Sequence, residues 1–200
     1  MKQIIIATKN KGKIEEFQEL FSPYHIKVMS LLDVTKTFNI EETGTTFLEN
    51  AQIKAEQTKK YLNLPVLADD SGLEIDALNG RPGIYSSRYA KEDATDQENI
   101  DKVMQELENV PYHRRTARFV CALTLSLLNG QMIHRIGYCE GKIALSQAGE
   151  NGFGYDPIFI PKHHKQTMAQ LHPDVKNRIS HRGRAIEQLE KWLKHNIDKL

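Results

Sequence analysis

Three features of the sequence predict a single α/β domain over residues 1–200: a buried N-terminal strand, helices marked by capping boxes, and one long antiparallel hairpin. Gln3-Ile4-Ile5-Ile6-Ala7 is a continuous apolar run of the kind that suits a strand covered on both faces. Thr46-x-x-Glu49 and Thr95-x-x-Glu98 each pair a hydroxyl with a carboxylate three residues on, so that both satisfy backbone N–H groups at a helix start. Residues Arg118 to Leu128 and Gln131 to Glu140 meet at Asn129-Gly130, a dipeptide that accepts the positive backbone angles of a two-residue turn.

Taken in order, the first strand leads through Thr8-Lys9-Asn10-Lys11-Gly12-Lys13 into a helix carrying Ile14, Phe17 and Phe21 on one side and stopping at Ser22-Pro23. Ile26, Val28 and Ser30 alternate as a second strand. The helix opened by Thr46 continues through Leu48, Ala51, Ala55 and Leu62, and Pro65 follows it. Val66-Leu67-Ala68 is a short buried strand running into Asp69-Asp70-Ser71-Gly72, after which Leu73, Ile75 and Ala77 alternate with acidic residues. The segment from Asn79 to Lys91 is an ordered loop. Ile100, Val103, Met104 and Leu107 give the helix opened by Thr95 its apolar face. A glycine-rich stretch, Gly149 to Pro157, precedes the strand Ile158-Phe159-Ile160, and a final helix from about Ser180 buries Ile186, Leu189 and Leu193.

Composition narrows the function. The chain holds 27 basic and 26 acidic residues for a net charge of +1, so no bulk attraction to nucleic acid or to an anionic membrane is expected. No apolar run reaches the length of a membrane span and no signal-peptide pattern is present, so a soluble, cytoplasmic protein is expected. Cys121 and Cys139 fit no zinc or CxxC spacing. If the hairpin closes between Leu128 and Gln131, their thiols face opposite sides of the sheet, which disfavours a disulfide.

Four polar segments interrupt the apolar pattern. Thr8 to Lys13, between strand and helix, offers free N–H groups and lysines to an anion, although the spacing alone does not separate it from an ordinary solvated connection. Asp69-Asp70, at the end of a buried strand, suits a hard cation such as Mg²⁺ or equally a plain Asp-Gly turn. Successive side chains on an extended segment diverge, so one aspartate of the pair is expected to point into a site. Glu41-Glu42 is a further carboxylate pair that reads as a ligand source or as a solvated loop. Gly152-Phe153-Gly154-Tyr155-Asp156 brings backbone close to a planar ligand with a ring to stack on it, or forms a tight turn with Phe153 in the core. Lys176 and Ser180-His181-Arg182-Gly183 place positive charge at a helix N-terminus, which is unfavourable there without an anion.

Together these segments resemble the house-cleaning purine nucleoside triphosphate pyrophosphatases that remove ITP, dITP and XTP. The resemblance runs from Ile6 to Ile186 through Ala7-Thr8-Lys9-Asn10-x-Gly12-Lys13, Glu41-Glu42-Thr43-Gly44-x-Thr46-Phe47-x-Glu49-Asn50-Ala51 with Lys54-Ala55, Ala68 to Leu73, Pro82 to Tyr89, Gly152 to Phe159, and Ile179 to Gly183. It implies an elongated mixed sheet flanked by helices in two lobes, with the active site in the cleft between them, a homodimer and Mg²⁺ as cofactor. It implies triphosphate contacts on Thr8, Lys9, Asn10, Lys11, Gly12 and Lys13, metal ligation on Glu41 and Asp70, and the proton-accepting role on Asp70. Nucleotide contacts are implied on Ser71, Phe153, Gly154, Tyr155, Asp156, Lys176, His181 and Arg182. The charge of a triphosphate calls in addition for Lys54 as a helper to Lys13, and Asp69 or a glutamate is the alternative to Asp70. His172-Pro173-Asp174-Val175 and Ser146-Gln147-Ala148 depart from the family pattern at the periphery. A nucleic-acid-binding module built on Lys9, Lys11, Lys13 and Arg182 is the reading of a different class, and the near-neutral charge and paired aspartates argue against it.

Overall fold

The structure, a computed structural model, describes residues 2–34 and 40–200. Six strands, β1 (Gln3–Ile6), β2 (Lys27–Ser30), β3 (Val66–Ile75), β4 (Thr116–Ser126), β5 (Met132–Ile143) and β6 (Phe159–Pro161), form a mixed sheet in the order β2-β1-β3-β4-β5-β6. The α-helices are α1 (Lys11–Phe21), α2 (Phe47–Leu62), α3 (Asp96–Glu106), α4 (Pro173–Ile179) and α5 (His181–Asn196). β1 runs parallel to both neighbours, with Ile4 beside Val28 and Ile5 beside Val66, and β6 closes the order antiparallel to β5. The expected α/β class holds.

The residues sort into two compact units, one of Met1–Asp70, Cys121–Ile136 and Ala185–Leu200, the other of Ser71–Val120 and Gly137–Arg184. In the first, Ile4 and Ile6 join Phe17, Phe21, Leu123, Leu125, Leu189 and Leu193, whereas Ile5 and Ala7 join Ala55, Val66 and Ala68. Alternate residues of β1 thus enter separate apolar clusters, which is why its sequence is apolar without a break. Ile186 is only partly buried; Ala185 takes the inward position with Leu189 and Leu193. In the second unit Leu73, Ile75, Ile100, Val103, Phe119, Tyr155 and Phe159 form the core. Arg115 is buried there and donates to the carbonyls of Leu107 (2.7 Å), Val110 (2.9 Å) and Ala144 (3.0 Å).

Both capping boxes form as predicted. Other expectations are corrected. Asp69-Asp70-Ser71-Gly72 is not a turn after a short strand but the middle of the ten-residue strand β3. The hairpin turn is one residue longer than expected: Leu127 N–H donates to Gln131 and Gly130 N–H to Leu127, with Gly130 at φ +88° and Asn129 outside the positive-φ residues. This three-residue loop needs one left-handed residue, not two, and it shifts the register so that strand alternation no longer argues against a disulfide. The two cysteines are nonetheless not joined by a disulfide; Cys121 lies in the core of the first unit and Cys139 in that of the second. The loop after Asn79 contains a 3-10 segment, Gly83–Arg88, and Lys176 lies on a separate short helix, α4, begun by Pro173. Among the described residues no helix is long and apolar enough to cross a membrane.

Candidate active site

Between β1 and α1, Thr8 accepts the N–H of Asn10 (3.2 Å), and Asn10 caps α1 by accepting the N–H of Lys13 (3.1 Å). The two side chains fold Thr8 to Lys13 into a compact turn and leave Lys9 and Lys11 exposed. The first turn of α1 carries no acidic residue, so the partial positive charge of the helix end is not offset within it. Lys13 turns back to Asp69, with nitrogen and oxygen 2.7 Å apart.

Asp69 and Asp70 are adjacent on an extended strand, so their side chains diverge as the sequence predicts, yet both are buried and each meets a lysine. Asp69 pairs with Lys13. Asp70 accepts from Asn50 (3.2 Å) and from Lys54 (3.4 Å), which lie one turn apart on α2. Lys54 also meets Glu42 at 3.1 Å. Glu42, not Glu41, is therefore the acidic residue placed beside Lys54, while Glu41 is exposed. Burial pushes the Asp70 carboxyl above the usual aspartate range; Lys54 opposes this, and the neighbouring charges of Glu42 and Asp69 add to it. Burial works against the charge of Lys54, but Asp70, Asp69 and Glu42 outweigh it and hold the ammonium above its ordinary value.

The second unit holds the other predicted group. Asp156 is its centre: the carboxylate accepts the N–H of Phe153 (3.0 Å) and the ammonium of Lys176 (2.6 Å). Gly152 is required at φ +85°, where a Cβ would lie 2.1 Å from that carboxylate. The Phe153 ring is half-buried, with Lys176 5.0 Å and Arg182 5.6 Å from its centroid. Gly154 donates its N–H to Asp96 at the start of α3 (2.6 Å). Tyr155 is the residue that enters the core, its hydroxyl donating to the Ser86 carbonyl (2.7 Å). Its side chain supports the loop from within and is not presented to a ligand. His181 stacks on Phe119 with centroids 4.8 Å apart and planes 14° from parallel, and Arg182 is buried rather than solvated. Ser71 continues β3 beyond Asp70 and is half-buried.

The residues to which the sequence assigned no role are supports: Asn50, Asp96, Ser86 and Phe119. Asn50 carried a legible signal, since it stands four residues before Lys54 on the face of α2 that meets β3.

The acidic group fits a hard cation. Asp70 and Glu42 present carboxylate oxygens around one lysine, and Asp70 is a buried carboxylate whose raised pKa comes first from that burial. Among the described residues no three His, Cys, Asp or Glu side chains converge as a ready-made cage. Mg²⁺ takes one or two carboxylates and completes its shell with water and substrate phosphate, so Asp70 and Glu42 are the residues that could hold it.

Known proteins place the chain. The dITP/XTP pyrophosphatase of Oceanobacillus iheyensis is 57% identical over 198 residues, spanning 98% of this chain and 100% of that protein. That of Bacillus subtilis is 52% identical over 193 residues, spanning 96% and 98%. Among solved structures, a HAM1 protein from Coxiella burnetii superposes with a TM-score of 0.90 at 47% identity over 97% of this chain and 99% of its own. The Ham1 protein of Staphylococcus aureus gives 0.89 at 46% over 96% and 98%. A family model described as the Ham1 family matches residues 4–192, and with that span and these identities the chain belongs to the Ham1 family.

Proposed function

We propose that this chain is a nucleoside triphosphate pyrophosphatase that hydrolyses ITP, dITP and XTP with Mg²⁺ to the nucleoside monophosphate and pyrophosphate, keeping deaminated purines out of DNA and RNA. The observation that carries the reading is the pair of buried aspartates on β3, each held by a lysine from a different helix. Relatives more than half identical to it bear the name dITP/XTP pyrophosphatase, which supports the substrate class.

A triphosphate repels an incoming hydroxide, so the protein must first gather positive charge. Thr8 to Lys13 takes the phosphates, with Lys13 exchanging Asp69 for phosphate oxygen and Lys54 adding charge beside Asp70. Asp70 and Glu42 would hold Mg²⁺, which when bound neutralises phosphate oxygens and makes a nearby water more acidic. Asp70 accepts the proton of the attacking water, and its raised pKa makes it a stronger base than an ordinary aspartate. Phe153 offers the base a face, with Lys176 and Arg182 over its ring, and the donors of His181 and Arg182 suit an oxo purine. From the family resemblance we also infer a homodimer working in the cytoplasm.

The test is product analysis. Purified protein with Mg²⁺ and XTP or dITP should release monophosphate and pyrophosphate, and a panel of canonical and pyrimidine triphosphates should be turned over far more slowly. Release of orthophosphate with a diphosphate would refute the bond assignment, and equal turnover across the panel would refute the substrate class.

A further inference from the structure

We propose that Asn50 is a positioning residue that fixes the Glu42 loop against Asp70, so that the two acidic side chains flanking Lys54 keep one arrangement. The inference rests on the proposed role of Asp70 and its acidic neighbour. The Asn50 side chain is wholly buried and uses both ends of its amide: the NH₂ donates to Asp70 (3.2 Å) and the oxygen accepts the N–H of Gly44 (2.9 Å). The amide has one permitted orientation there, because a backbone N–H only donates and a carboxylate only accepts. Aspartate cannot serve both partners, and an apolar residue of the same size serves neither.

The loop is shaped for this contact. A Cβ on Gly44 would lie 2.7 Å from the Asn50 oxygen, so only glycine allows the approach. Next along α2, Glu49 accepts the N–H groups of Thr45 (2.7 Å) and Thr46 (3.2 Å) and the Thr45 hydroxyl (2.8 Å). Those bonds close within the capping box, whereas Asn50 joins the Gly44 backbone to Asp70 on β3. Two residues before Gly44, Glu42 meets Lys54, and Lys54 returns to Asp70. The result is a closed circuit of Asn50, Asp70, Lys54, Glu42 and the Gly44 backbone. If Asn50 loosens, the separation of Glu42 and Asp70 is no longer set.

The test begins with the unmodified protein turning over XTP with Mg²⁺; its inactivity would fail the proposed function rather than this inference. Asn50→Asp keeps shape and the Gly44 bond but turns a second carboxylate onto Asp70, and Gly44→Ala breaks the same contact from the loop. Each should lower kcat about 30-fold or more while KM for the nucleotide changes less than about threefold, since misplacement of reacting groups reaches such factors. Asn50→Asp should also lower the melting temperature by about 5 °C, the shift expected for loss of a buried polar contact in a chain this long. The double variant Asn50→Asp with Asp70→Asn restores a donor facing an acceptor with the direction reversed. Its melting temperature should recover by more than Asp70→Asn alone raises that of the unmodified protein, while activity stays absent. Turnover within threefold of the unmodified protein in Asn50→Asp, or a gain in the double variant no larger than the gain from Asp70→Asn alone, overturns the proposal. The second readout decides it even if Asn50→Asp is too unstable to assay.

Discussion

Gly152 and Gly154 both sit at positive φ in the loop that carries Phe153, yet replacing them with alanine should have very different costs. At Gly154, φ is +59° and a Cβ would meet nothing within 4 Å, so Gly154→Ala carries only the left-handed backbone penalty, about 1–2 kcal/mol. At Gly152, φ is +85° and the Cβ would lie 2.1 Å from the Asp156 carboxylate and 2.8 Å from the Lys176 ammonium. The ammonium ends a flexible stem and can follow the carboxylate. The Phe153 N–H is backbone and cannot, so its bond to Asp156 is lost. A hydrogen bond to a charged group contributes about 1.5–3 kcal/mol, and with the backbone penalty Gly152→Ala should cost about 2.5–5 kcal/mol. Urea unfolding of both variants measures the difference directly. If the two lose the same stability within about 0.5 kcal/mol, which is the spread of neutral substitutions, Asp156 is not what holds this loop. The same displacement moves Phe153, so KM for XTP should rise in Gly152→Ala more than in Gly154→Ala.

Asp70→Asn should lower kcat by about 10²–10⁴ through loss of the proton acceptor, yet melt above the unmodified protein at neutral pH. With its folded pKa raised, Asp70 gives its full contribution below the ordinary value of 3.8 and loses it as pH rises through the folded value; the variant's advantage must vanish below pH 3.8, and an equal midpoint at pH 7 would contradict the burial argument. Arg115→Met removes a donor from the carbonyls of Leu107, Val110 and Ala144; Leu107 still accepts the Val110 N–H and Val110 is only partly buried, so the cost rests chiefly on the buried Ala144 carbonyl, about 1–3 kcal/mol, and a loss under ~0.5 kcal/mol in denaturant would show that water replaces the guanidinium. Arg182→Lys keeps charge but not the planar fork, so the preference for dITP over dATP in kcat/KM should narrow by about tenfold, whereas Phe153→Ala should weaken both alike; an unchanged ratio in Arg182→Lys would assign base choice to other groups.

Elements whose causes are local were legible in the sequence. Thr46-x-x-Glu49 and Thr95-x-x-Glu98 closed as capping boxes because every partner lies within four residues. The isoleucine run of β1 was legible because burial on both faces leaves no polar position. Asn129-Gly130 marked a turn, but its length depends on whether Asn129 also takes a left-handed angle, and the flanking residues do not say so. Asp69-Asp70-Ser71-Gly72 has the composition of a turn and became strand interior. The tertiary partners Lys13, Lys54 and Asn50 satisfy what the local sequence leaves charged and polar, and these lie 16 to 56 residues away.

The same distinction explains the site. Residue types that carry charge stood out in the chain, so Lys13, Asp70, Lys176 and Arg182 were all singled out from the sequence and from the resemblance it bears. What the linear order cannot express is which member of an adjacent pair turns inward. Glu41 and Glu42 differ by one position, and the choice follows from where Gly44 is held by Asn50, two residues beyond. Tyr155 and Asp156 likewise sit beside Phe153, yet one anchors to Ser86 in the core and the other holds Lys176. A family motif therefore marks a segment that a ligand needs without separating the atoms that touch it from those that keep it in place. In Gly152-Phe153-Gly154-Tyr155-Asp156 the side chains of Tyr155 and Asp156 are internal supports, which leaves the Phe153 ring and the loop backbone as the parts that would meet a base on the proposed function. Substitutions at Tyr155 and Asp156 should on that argument register first in the unfolding midpoint, and those at Phe153 in KM.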